Sequence, residues 1–371
     1  MRGQKPAQPK DMTAELSALS DAAEARVERR AREPRWHESS WLGRFQRNLA
    51  SHDYVIGSYF VIVFFALLFG DGPGRGHSMR IMAMDFGLFL GGLLLTRGEI
   101  IKKTTPWGAS ANAFIYRMSL FAATFLSYFQ LKTILPAVTS RTADASIYAL
   151  DLRVFGFEPS LLWDRFVNPT TTEWFAFFYF GYFAVLAVHV LPFVFAVNEE
   201  KLISQFAIGI FTVFLSAHAL YMAVPGYGPY RFLASEFHHE LVGGRFWHMV
   251  LATVDSAGAQ KDIFPSLHTA APTFFAIYSW RHRDRLPFKY TWPLVAFCVS
   301  QIIIATMFLR WHYLIDIFAG LTLATIANLL GAYLTPWEIA HRKRLGVPPI
   351  FDPLTFPSPK RFASGAEEPA E

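Results

Sequence analysis

Two histidines in this chain of 371 residues have neighbours that suit them to chemistry at phosphorus. His312 lies four residues before Asp316, a spacing that on a helix puts both side chains on one face, one turn apart. A carboxylate so placed can accept a hydrogen bond from one ring nitrogen, fix the tautomer and stabilise positive charge while the other nitrogen attacks. Taken alone, such a pair serves equally well as a structural or helix-capping contact. His268 follows Pro265 by three residues, at the expected start of a helix for which Ser266 is the candidate N-cap. Free backbone N–H groups at a helix start form an anion site, and a histidine beside it can give a proton to an oxygen leaving phosphorus. The plainer reading is a capping motif with an interfacial histidine.

Phosphate needs cations as well. Arg231 and Arg310 are the candidate clamps, because a guanidinium binds phosphate oxygens bidentately and stays charged at any working pH. Lys261 is a third candidate, and Tyr230 and Ser266 join the same phosphate-binding set. The alternatives are snorkelling for Arg310 and loop solvation for all three cations.

These residues fall in three polar clusters, 225–231, 261–269 and 310–316, that interrupt a very apolar chain: 53% of its residues are hydrophobic, 16% aromatic and only 17% charged. That composition excludes an ordinary soluble domain of this length. The net charge of +5 does not point to nucleic acid, because the basic residues sit in short clusters beside apolar runs, as in membrane proteins. Cys298 is the one cysteine, so neither a disulfide nor a thiolate metal site can form within the chain.

Eight runs suit membrane-spanning helices, near 53–70, 79–96, 112–136, 172–197, 203–224, 267–281, 290–309 and 313–334, the sixth being short. The expected fold is therefore an all-α polytopic bundle, residues 51–336, with a catalytic core at about 145–335. It is flanked by a polar N-terminal extension (1–50), whose stretch 13–32 can form a surface helix, and a polar tail (337–371). Placing both termini in the cytoplasm puts Arg44/Arg47, Arg97/Lys102/Lys103, Lys201, the 281–285 cluster and Arg342-Lys343-Arg344 on one side, as the positive-inside rule asks. The three polar clusters then meet at the opposite, extracytoplasmic face.

Other polar features carry less. His238-His239-Glu240 reads as an exposed loop and not a metal site, since adjacent histidines rarely converge on one ion. Asp85, His189 and His218 fall within expected spans, where helix-to-helix hydrogen bonding is the simplest account. The aromatic run 174–182 reads as lipid-facing or packing surface, with Trp163 and Trp174 as interfacial anchors. No cofactor is implied.

The pair Phe264-Pro265-Ser266-Leu267-His268-Thr269 and His312-Tyr313-x-x-Asp316 resembles the second and third signature motifs of the type 2 phosphatidic acid phosphatase superfamily. The stretch Val154-Phe155-Gly156-Phe157-Glu158-Pro159 to Trp163, then Pro169-x-x-x-Glu173 and Tyr179-x-x-Tyr182, is similar to the branch that includes bacterial relatives of inositol phosphorylceramide synthases. The resemblance covers about 145–335. It implies a two-step, metal-independent mechanism: His312 forms a phosphohistidine, Asp316 orients it, His268 is the general acid, and water or a hydroxyl acceptor then takes the phosphoryl group. Two departures stand out. The usual lysine seven residues before an Arg-Pro pair is missing, since Arg231 precedes Phe232 and Val224 occupies the earlier position, and the usual Ser-Arg before the third-motif histidine is Ala305-Thr306. Arg310 is then a candidate replacement.

The expected substrate is a lipid phosphate held in the bilayer of a bacterial inner membrane, with hydrolysis or transfer to a lipid alcohol of ceramide or diacylglycerol type as the two outcomes. A transporter, the reading from another class, would place paired ionisable groups near the bilayer midplane, whereas the informative residues here gather at one surface.

Overall fold

The computed structural model describes residues 40–257 and 261–355, so the expected surface helix at 13–32 and the last part of the tail lie outside the described residues. Among the described residues the chain is helical, with one isolated parallel bridge between Gly226 and Asp262. The helices are α1 (Trp41–Asn48), α2 (Ser51–Phe69), α3 (Arg75–Thr96), α4 (Pro106–Val138), α5 (Asp144–Phe155), α6 (Pro159–Trp163), α7 (Pro169–Phe195), α8 (Glu200–Ala223), α9 (Pro229–Phe232), α10 (Arg245–Ala257), α11 (Leu267–Arg281), α12 (Phe288–Phe308) and α13 (Leu314–Leu345).

Seven of them, α2, α3, α4, α7, α8, α12 and α13, are long and apolar enough to cross a membrane. The expectation of eight spanning segments meets its physical limit at α11. Its 15 residues rise only about 22 Å, short of a hydrocarbon core of about 30 Å. α11 is instead the buried centre of the bundle, packed by α7, α8, α12 and α13, with Ala270, Ala271, Phe274 and Phe275 wholly enclosed.

Contacts between chain-distant residues define two ends. At one, Ser51 donates its N–H to Glu338, Arg285 pairs with Glu199, and the N–H of Ile350 reaches Glu200. At the other, Asp71 bonds the carbonyl of Val138, Ala143 that of Pro225, and Ser266 that of Asp316. The three polar clusters lie at this second end.

The tail differs from expectation. α13 runs on through Pro336 to Leu345, and residues 346–355 fold back over the bundle with Ile350, Phe351 and Leu354 buried. Arg97 donates to the carbonyl of Ile350, Lys103 pairs with Asp352, and Arg117 donates to the Asp352 carbonyl at 3.2 Å. Hydropathy misses this because the segment is tied by guanidinium-to-carbonyl bonds and a few apolar plugs, not by an apolar run. Beneath it, Asp53 accepts from Ala50 N–H at 2.7 Å and from Tyr116 hydroxyl at 2.8 Å, beside Arg97. His189 and His218 do bond between helices, to Ser279 at 3.2 Å and Ser127 at 3.0 Å. Asp85 is buried beside Gln130 and Tyr59.

α8 and α13 approach closely at Gly331, where a Cβ would sit 2.5 Å from the Gln205 carbonyl oxygen. Because that neighbour is backbone, the helices would have to separate. Gly331→Ala is expected to lower stability by about 1–3 kcal/mol, as overpacking does, read as a drop in thermal midpoint in detergent. An unchanged midpoint would show that this crossing is slack.

Candidate active site

α11 begins at the N-cap Ser266, whose Oγ accepts from the Thr269 N–H at 3.2 Å, and the Ser266 N–H donates to the Asp316 carbonyl at 3.1 Å. The starts of α11 and α13 are thereby joined. His268, one residue into α11, is held between two rings from successive turns of α7: Tyr179 stacks at 4.3 Å and 12°, and Tyr182 lies at 4.3 Å and 39°. Its Nε2 is buried without a hydrogen-bond partner among the described residues. Two tyrosines of the aromatic run read as lipid-facing or packing surface thus pack against the candidate side chain His268.

His312 sits in the turn between α12 and α13, 5% exposed. Its Nδ1 lies 3.4 Å from Asp316 Oδ2, the expected pairing at long range; that same oxygen accepts the Tyr313 N–H at 2.9 Å. Asp316 thus caps α13 at closer range than it contacts the imidazole. Burial lowers the His312 pKa to about 4, with the Asp262 charge and the Ile263 carbonyl raising it in part. The ring is therefore neutral at neutral pH, the form a nucleophile needs. Burial also raises the Asp262 carboxyl above the ordinary range.

His268, His312 and Asp262 line one cavity of about 800 Å³. Tyr230, Arg231 and Trp311 border the same end, with Tyr230 stacked on Trp311 at 4.7 Å, while the remainder is walled mainly by aromatic and aliphatic side chains of α4, α7, α8 and α10.

The cations separate sharply. Arg231 lines the cavity, its guanidinium 4.0 Å from the centre of the Tyr227 ring. Arg310 does not. It ends α12 in the left-handed region (φ 66°), and its Nη2 lies 2.7 Å from Asp164 Oδ1, both side chains 7% exposed. Lys261 does not line it either, since its Nζ donates to the carbonyls of Thr139, Ser140 and Arg141 at 3.2–3.3 Å, capping the end of α4. Ser266 is fully buried as an N-cap. Of the five expected phosphate contacts, only Arg231 and Tyr230 face the cavity. Arg310 and Lys261 instead neutralise a carboxylate and three carbonyls that burial would otherwise leave unpaired.

Residues 144–173 supply carboxylates of which the motif-based reading quoted Glu173 and passed over Asp144, Asp151 and Asp164. Asp144 accepts the N–H groups of Tyr227 at 3.0 Å and Gly228 at 2.9 Å, and Asp151 that of Ile315 at 2.7 Å. Residues 238–240 form the exposed loop expected of them, and Asp164 pins it by accepting the His238 N–H at 2.9 Å and contacting His239 Nδ1 at 3.0 Å. Glu173 accepts from Gly244, Phe246 and Trp247. A signal was present in Asp144 and Asp151, seven apart on one face of α5.

The family model described as the PAP2 superfamily matches residues 145–330, half of the chain. The chain belongs to the PAP2 superfamily. Searches of curated proteins and of solved structures returned no match. Membership fits a phosphatase or phosphotransferase in a membrane-embedded helical fold. The matched segment contains both histidines, both tyrosines that hold His268, and the loop-binding carboxylates 151, 164 and 173. α2, α3 and α4 precede it.

Two outcomes follow for this PAP2 protein. Asp262 raises the His312 pKa, so Asp262→Asn is expected to move the acid limb of kcat/KM, which falls as pH drops toward about 4, to lower pH. A limb that stays put or moves up would rule Asp262 out as the charge felt by His312. Arg231→Ala should raise KM for a phosphate ester by tenfold or more with the fold intact, the loss of charged hydrogen bonds worth about 1.5–3 kcal/mol. Arg310→Ala, which takes the guanidinium from Asp164 and leaves it the His238 and His239 contacts, should instead cost about 1–3 kcal/mol of stability. Thermal unfolding beside ester kinetics separates the two, and the reverse pattern would return the clamp to Arg310.

Proposed function

We propose that this protein transfers the phosphoryl group of a lipid phosphate through a phosphohistidine on His312. The observation that carries the reading is one cavity with two imidazoles and a guanidinium at its polar end and hydrocarbon-like walls over the rest. A phosphate head group requires the first and a lipid tail the second, and each methylene moved from water into such walls contributes about 0.8 kcal/mol.

In the first half-reaction the free nitrogen of neutral His312 attacks phosphorus while the bond to the lipid oxygen breaks. Asp316 at 3.4 Å stabilises the charge that develops on the imidazole. Burial holds the His268 pKa well below its ordinary value; the charge of the bound phosphate opposes that shift, and the proton taken up with the substrate passes from His268 to the leaving oxygen while Arg231 neutralises the equatorial oxygens. In the second, water or an alcohol loses its proton to His268 and attacks the phosphoimidazole, regenerating His312. With water the enzyme is a phosphatase. With a lipid alcohol it is a phosphotransferase, an outcome favoured by the resemblance of the 154–182 stretch to inositol phosphorylceramide synthase relatives and by a cavity roomy for one head group.

The orientation belongs to the same reading. Arg97, Lys201, the 281–285 cluster and 342–344 fall at the end away from the cavity. By the positive-inside rule that end, with both termini, is cytoplasmic and the site extracytoplasmic, in the plasma membrane of a bacterium. α11 then serves as an eighth, recessed crossing.

With a 32P-labelled lipid phosphate, an alkaline detergent quench should trap an acid-labile, base-stable phosphoenzyme in wild type and none in His312→Ala, whose turnover should fall at least a thousandfold. His268→Ala should lose about 10²–10⁴-fold on alkyl phosphates, and far less on p-nitrophenyl phosphate, whose leaving group needs no proton. A His312→Ala variant as active as wild type would end this reading.

A further inference from the structure

The cavity is not built from the PAP2 segment alone. On α4, Phe121, Thr124, Phe125, Tyr128 and Phe129 line it. Their spacing, one position and then pairs three to four residues apart, is a single helical stripe. The whole of α4, Pro106–Val138, precedes residue 145, where the family match begins. We infer that α4 is the wall of the lipid-tail slot, so that the helices added before the PAP2 segment select the hydrocarbon chain of the substrate. This rests on the lipid-phosphate reading above and adds the part of the molecule that discriminates among such lipids.

Three observations carry it. First, the lining is continuous from chemistry to hydrocarbon. On α7 it begins at Tyr179 and Tyr182, which hold His268, and continues to Leu191, nine residues beyond Tyr182 and so about 13 Å further along the helix. Opposite it, the α4 stripe and Phe214 of α8 keep the slot apolar over that length. A groove joined to the phosphate end and extending parallel to the helices fits the tail of the same molecule.

Second, the α4 stripe divides into a floor and a rim. Thr124 is 8% exposed, whereas Phe125 and Phe129 are 51% and 49% exposed, like Leu191 of α7 at 44%. Aromatic and aliphatic side chains that line a cavity and also face outward mark its opening, here between α4 and α7. An opening on that flank faces the bilayer, so a tail can enter sideways without leaving hydrocarbon.

Third, α4 is fixed in place at both ends of the bundle. Lys261 holds the carbonyls of Thr139, Ser140 and Arg141 just after its end beside the site, and Arg117 joins it to the carbonyls of Phe193, in the last turn of α7, and Val197 beyond it. A wall so anchored can hold a slot of fixed width and depth.

The test compares hexadecyl with butyl phosphate as substrates. Each methylene held in the slot is worth at most about fourfold in kcat/KM, the limit of about 0.8 kcal/mol for a tail that starts in water, and less for one that starts in a micelle or bilayer. Thr124→Trp, which places an indole on the floor, should lower the hexadecyl-to-butyl ratio of kcat/KM at least tenfold. Phe125→Ala/Phe129→Ala, which opens the rim, should lower it less. A readout independent of turnover uses hexadecyl phosphate with a diazirine at its methyl end. Photolysis with the full-length protein should label peptides from 106–138, and Thr124→Trp should reduce that label. Label confined to the 145–330 segment, or an unchanged chain-length ratio in Thr124→Trp, would overturn the inference. If wild type neither hydrolyses these esters nor transfers their phosphate to an added lipid alcohol, the phosphotransfer reading fails, and the crosslink still decides whether α4 lines the lipid.

Discussion

The chemistry at one end of this bundle depends on a constraint of the backbone. Loops that carry site residues beside a bilayer cannot leave their N–H groups unpaired, since each unmet donor costs several kcal/mol where water is scarce. Here buried or half-buried carboxylates supply the partners. Asp144 holds the 226–228 loop that leads into Arg231, Asp151 and Asp316 hold the start of α13 next to His312, and Asp164 and Glu173 hold 238–239 and 244–247. Four of the five come from the short connecting segment between α4 and the middle of α7. That segment is the frame against which the longer helices register, and it explains how two histidines 44 positions apart in sequence line one cavity.

The same frame decides which cations are available to substrate. A carboxylate used as a backbone acceptor still carries charge, and in a low-dielectric setting that charge draws the nearest guanidinium. Asp164 takes Arg310, and the carbonyl end of α4 takes Lys261. Arg231, on the exposed rim above the Tyr227 ring, is held by an interaction worth only about 0.5–1 kcal/mol at exposed sites. It can turn toward a phosphate with little lost, while Arg310 would have to abandon a buried ion pair. The distinction between structural and substrate-binding cations is thus one of what each must give up.

The sequence reading succeeds where a single local property decides the outcome. Apolar runs locate most of the long helices to within a few residues, though α4 begins six residues before its run and α13 ends eleven after it; Ser266 is the N-cap that its place before α11 suggests, and the three polar clusters do gather at one end. It fails where the outcome depends on a partner far away in the chain. Nothing near Arg310 announces Asp164, 146 positions earlier, and nothing near Lys261 announces the end of α4. Pro336 reads as a stop, yet the helix continues, and the tail after it is held by arginines of α3 and α4. Tyr179 and Tyr182 read as lipid-facing or packing surface because an aromatic helix face looks the same whether it meets acyl chains, another helix or an imidazole.

The shortness of α11 links these points to function. A helix of full spanning length would carry His268 to the membrane surface, where water competes for the phosphate and for the proton. With 15 residues, α11 starts inside the bundle, and the chain leading to it, 261–266, descends between α4, α8 and α13. That descent is irregular backbone within a membrane protein, tolerated only where protein or a cavity surrounds it. It is enclosed by the Gly226–Asp262 bridge, the Lys261 contacts and the Ser266–Asp316 bond. In return both imidazoles stand below the rim, where burial keeps His312 neutral and the polar end of the cavity continues directly into its hydrocarbon walls. On the proposed lipid-phosphate reading, a water-exposed histidine pair would also have no path by which the attached tail stayed in hydrocarbon while the head group reached His312.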